Sequence, residues 1–122
     1  MIEMALVLPV YFLLVFGTMQ LCFVLFGYCN ATYACRQAAR FAAVHGTGST
    51  YTCTNADLQK IAKQYLWGTP PLGTTITTSW YPDNNPGSSV TVKISVVYPT
   101  VIPFSRLSTI TVGTAAQALI LQ

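Results

Sequence analysis

The stretch Met4–Cys29, MALVLPVYFLLVFGTMQLCFVLFGYC, decides the architecture of this chain. It has no charged side chain, and Thr18 and Gln20 are its plainly polar groups. Its 26 residues make about 39 Å of helix, enough to cross a hydrocarbon core of about 30 Å with some tilt. A cleaved secretory signal has a basic front, a shorter apolar stretch and a cleavage site. Here no Lys or Arg precedes the run, and Glu3 is its only flanking charge. Arg36 and Arg40 follow it and locally favour a cytoplasmic position for that end, against whatever charge a removed leader carried.

The rest of the composition agrees with an anchored chain. At 122 residues there is room for one domain. Hydrophobic residues make up 52% and charged ones 7%, against about 25% charged in a soluble domain. Disorder is excluded, because disordered chains are polar and charged. Nine charged side chains (six Lys+Arg, three Asp+Glu) also make a poor solvated surface for a free monomer. The net charge of +3 is too small to point to nucleic acid.

Helical character continues past the apolar run. Ala31, Ala34, Cys35, Ala38, Phe41 and Ala42 recur at spacings of three and four, with Arg36, Gln37 and Arg40 on the other side. No Pro or Gly lies between Tyr28 and His45, so one helix is expected over residues 2–45, about 65 Å long and ended by Gly46. Pro9 predicts a kink or loosened turn near residues 5–9. Gly17 and Gly27 weaken the helix or permit close contacts. The division is residues 1–29 as a membrane or filament-core half-helix and 30–122 as a head.

In the head, Thr54 stands at an N-cap with Asp57 three residues on, a pattern like a capping box. Leu58, Ile61, Ala62, Tyr65 and Leu66 then form one stripe of a second helix, ended by Gly68, Pro70 and Pro71. Thr74–Tyr81 reads as a strand, and residues 82–88 (PDNNPGS) as a turn. Residues 89–98 alternate strictly, with Val90, Val92, Ile94 and Val96 on one face. Leu107–Leu121 is a third extended segment bent at Gly113, with a short helix over 115–121 as the alternative. The fold class is α+β: a long N-terminal helix, one short helix and a three-stranded antiparallel sheet. The helix's amphipathic half covers the sheet's apolar face.

A continuous first helix keeps Cys22, Cys29 and Cys35 about 9 Å or more apart, too far for mutual disulfides. One intrachain bridge is then possible, and it must use Cys53. Cys35 is the better partner, since eight residues can return over the about 15 Å from Cys35 to His45. Such a staple implies an oxidising compartment. Cys22 and Cys29 are then buried thiols or an intermolecular pair.

Motifs for chemistry are few. His45, the single histidine, has no carboxylate near it in sequence and suits the end of a helix. The cysteines lack C-x-x-C spacing, and neither phosphate-binding glycine motif occurs. No enzyme, cofactor or metal is therefore expected. Asn30-Ala31-Thr32 fits a glycosylation acceptor but falls in helix. The many aromatics of the run suit packing. The loops 46–55 and 82–89 suit adhesion or decoration. Glu3 lies either at the membrane interface, at a helix start that favours negative charge, or beside the N-terminal amine of Met1, its own or a neighbour's.

The opening IEMALVLP (residues 2–9), the apolar run, and then AARFAA (residues 38–43) resemble the TadE-like pseudopilins of the type IV pilin superfamily. One departure stands out: pilins usually carry this Glu at the fifth mature position, and here it is the third. The resemblance implies a leader cleaved by a prepilin peptidase, storage in the inner membrane, and assembly by pilus machinery into an extracellular filament. It also implies that the Glu3 position meets the amine of an adjacent subunit. The functional expectation is a structural pilin whose partners are other copies of itself. The alternatives are a minor or initiating pseudopilin, and a single-pass envelope protein with a partner-binding β head.

Overall fold

The computed structural model describes residues 2–67, 73–99 and 109–121. Helix α1 runs over Ile2–Val44 and helix α2 over Asn55–Tyr65. Strands β1 (Gly73–Tyr81), β2 (Ser89–Pro99) and β3 (Thr109–Leu119) form one antiparallel sheet in the order β1-β2-β3. This is the expected α+β arrangement of long helix, short helix and three-stranded sheet. The helix assignment is continuous through Pro9. A proline this close to a helix start removes one backbone bond near a free end, where few turns depend on it. The residues expected to end α2 (Gly68, Pro70, Pro71), and Leu107, lie outside the described residues.

The core forms where the alanine face of α1 meets the inner face of the sheet. Ala31, Ala34, Cys35, Ala38 and Ala42 are fully buried against a cluster containing Val90, Val92, Ile94 and Val96. Short alanine side chains let the sheet lie close to the helix axis, and the β-branched residues of β2 fill the gap. The Cys35 thiol donates to Val92 O at 3.7 Å, and Gln20 Nε2 donates to Pro99 O at 3.3 Å. Between those contacts the strand advances about 23 Å and the helix about 22 Å. The strand and helix therefore run side by side in opposite directions. The sheet thus reaches ten residues further down α1 than the start of the head expected at residue 30.

Strand β3 keeps its register through Gly113, which pairs with Ser95, and continues to Leu119. The expected bend and the alternative helix over 115–121 are both absent. Ala116 and Ala118 pack on the core from this strand, so extended alternation serves burial better than a helix here.

His45 N–H makes the last helical bond of α1, to Phe41 O at 3.1 Å, and amides from elsewhere then close the end: Leu121 N–H donates to Ala43 O at 2.9 Å and Cys53 N–H to His45 O at 3.0 Å. These two bonds occupy carbonyls that a helix end leaves without partners. The β1–β2 turn is tied to the same region by Thr47 N–H to Asn84 O at 3.1 Å. Gly87, with φ +91°, supplies the left-handed residue of that turn.

Candidate membrane and assembly surface

From Glu3 to Phe16 every residue of α1 is exposed. Leu6 is 73% exposed, Val7 58% and Leu8 55%, and successive residues stand about 100° apart, so different sides of the helix are open. A core helix of a soluble domain buries a stripe; this one buries nothing over four turns. Among the described residues it is the one helix long and apolar enough to cross a membrane.

Glu3 lies in the first turn of α1, exposed, where the helix dipole favours a negative charge. The expectation for Met1 lies outside the described residues. Pro9 is exposed. The two glycines of the helix differ. A Cβ on Gly17 would meet nothing within 4 Å, whereas one on Gly27 would stand 2.0 Å from Tyr98 Oη. Gly27 is therefore the seat of a sheet residue, a close contact within the chain.

The cysteines correct two expectations. All four are free thiols. Cys53 N–H bonds His45 O, ten residues and about 15 Å of helix beyond Cys35, too far for the expected Cys35–Cys53 disulfide. The intervening loop turns tightly at the helix end and does not run back along it: Ser49 N–H donates to Gly46 O at 3.1 Å. Burial raises both thiols, Cys53 to about 11 with help from the nearby Asp57 charge. Cys22 and Cys29 are exposed, which corrects the buried-thiol alternative and leaves the intermolecular pair untouched. Each stands two residues, about 200° of helix rotation, from a residue that faces the sheet (Gln20 and Gly27).

Asn30 is held inside α1, with its amide nitrogen donating to Trp67 O at 2.9 Å, so the atom a glycan needs is already engaged. His45 Nδ1 lies 2.9 Å from Phe41 O and its ring stacks on Phe41 at 4.0 Å. No group of three or more metal-ligating side chains occurs among the described residues.

At the start of α2, Thr54 N–H donates to Asp57 Oδ2 at 3.2 Å and the Thr54 hydroxyl donates to the same oxygen. These bonds, with one from the Tyr51 hydroxyl, hold the Asp57 carboxyl below the usual aspartate range, while Asp57 pushes the Tyr51 phenol up. Sequence reasoning missed Asn55. Its Oδ1 accepts from Thr78 Oγ1 at 2.7 Å and from Trp80 Nε1 at 3.1 Å, joining α2 to β1. Only the alternation that puts Thr78 and Trp80 on one face hinted at it.

An exposed apolar helix that continues into a helix-and-sheet head defines a pilin-like α+β protein with a single N-terminal apolar helix. Residues 1–40 match the model of the family described as TadE-like protein, about a third of the chain. The match covers the apolar run and most of the alanine face, the parts that carry the resemblance, and it supports a pilus-associated, membrane-anchored protein. No curated protein and no solved structure gives a significant match.

Proposed function

We propose that this chain is a structural pilin. It is stored in the membrane through α1 and polymerises through the same helix into an extracellular, type IV pilus-like filament, without catalysis. The observation that carries this reading is the uncovered apolar surface of α1 from Met4 to Phe16. That surface needs lipid or other chains around it. A lipid-filled environment and a bundle of sibling helices satisfy it equally, so the helix can pass from one to the other. Contacts between the same helix on successive copies are heterologous and build an open polymer. In that polymer the Glu3 carboxylate meets the amine of an adjacent copy, and the open surface at Gly17 admits a neighbouring helix. Processing by a prepilin peptidase and export by pilus machinery follow from the family resemblance.

The test is fractionation. Sheared extracellular material should contain thin filaments composed of this chain. Glu3→Ala should lower filament yield at least about tenfold while membrane content is unchanged, the expected loss of a partly buried charge pair. A chain found only in membranes would instead be the single-pass envelope protein.

A further inference from the structure

We propose that the sheet sets how deeply α1 enters a bilayer: the hydrocarbon layer ends at Gln20, and residues 21–29 stand in and above the headgroups despite their apolar character. The inference rests on α1 being a membrane anchor, and is independent of polymerisation.

The reason is backbone chemistry. Among the described residues, in the order β1-β2-β3, the outer strands pair on one side only, so each leaves a row of N–H and C=O groups along its free edge. Hydrocarbon offers no water to these groups, and open sheet edges do not occur there. The sheet therefore cannot follow the helix into the membrane. Its lower end is level with Gln20, whose side chain donates to Pro99 O, and Pro99 pairs across to Thr109 at the last rung of β2 and β3. Gln20 itself is buried under this end at 6% exposure, where an amide in lipid would need a partner.

The lengths agree. Glu3 to Met19 is 17 residues, about 26 Å of helix, against a hydrocarbon core of about 30 Å. Hydropathy alone places the boundary at Cys29, about 39 Å from Met4 and longer than the core. The two boundaries put Cys22 in different surroundings. In one it lies about 3 Å above the hydrocarbon edge, in the other about 10 Å below it.

Native thiols make the measurement. Cys35 and Cys53 are buried in the head and respond slowly to thiol reagents, while Cys22 and Cys29 are exposed on α1. The full chain carrying Cys29→Ser or Cys22→Ser is reconstituted at low density into phosphatidylethanolamine–phosphatidylglycerol vesicles. The vesicles are purified by flotation and treated with a membrane-impermeant maleimide. Cys22 should label within about tenfold of the rate of Cys29. Labelling of Cys22 more than about tenfold slower, restored by detergent, overturns the depth stop while leaving the anchor intact. A chain that does not float with the vesicles overturns the anchor reading, and the depth stop with it.

Discussion

Replacing Gly27 with alanine sets two effects against each other on one helix. Alanine is the better helix former, by about 1 kcal/mol. The new methyl would stand 2.0 Å from Tyr98 Oη, 2.3 Å from Cζ and 2.9 Å from Cε2, so the ring must move. If ring and helix separate slightly, the cost is that of an overpacked core, about 1–3 kcal/mol. If the ring leaves its buried site, at least 150 Å2 or so of burial is lost, about 4 kcal/mol at 25 cal/mol per Å2. The steric term exceeds the propensity gain over most of this range, and subtracting one from the other leaves a net loss of about 0–3 kcal/mol. For a head of about 100 residues each kcal/mol lowers Tm by about 4–8 °C. Thermal unfolding of the full chain in detergent, followed by near-ultraviolet circular dichroism, reads this directly. Gly17→Ala is the matched control. It meets nothing, so its Tm should equal or exceed that of the parent. Combining Gly27→Ala with Tyr98→Leu should cost less than the sum of the single changes by more than about 0.5 kcal/mol. Gly17→Ala carries the propensity gain alone, so a Gly27→Ala protein as stable as Gly17→Ala, or strict additivity in the cycle, would refute the claim that Tyr98 sits on the Gly27 backbone.

Two further outcomes follow from the head. The carboxyl of Asp57 titrates lower when folded than when unfolded, so its contribution to stability is present above the ordinary aspartate range and is lost as pH falls through the folded value. Asp57→Asn should therefore flatten the acid limb of the stability–pH curve; an unchanged acid limb would show that the α2 cap does not depend on the charge. Asn55→Ala removes the acceptor shared by Thr78 and Trp80. A loss of about 1 kcal/mol is expected, with a shift in Trp80 emission as its indole turns to water; emission identical to the parent would contradict the bond.

Periodicity made several elements legible before any fold was considered. The alanine face from Ala31 to Ala42 is a helical repeat, and the buried Val90, Val92, Ile94 and Val96 are a strand repeat. The link between Thr54 and Asp57 needs only three residues of chain to be seen. These are local properties, because the residues that decide them are neighbours in the chain. Gly113 misled for the same reason: glycine in a strand suggests a bend, but pairing with Ser95 keeps the register regular.

What the sequence by itself determined is therefore the inventory: an apolar rod of about 39 Å, its amphipathic continuation, and a sheet with one oily face. What only the tertiary structure decided is how far the sheet lies along the rod. That distance put Tyr98 on Gly27 and Pro99 beside Gln20, and left Cys53 at the far end of the helix from Cys22. The first two contacts join residues more than seventy positions apart. Shape complementarity between a helix and a strand selects them, and no spacing along the chain encodes that.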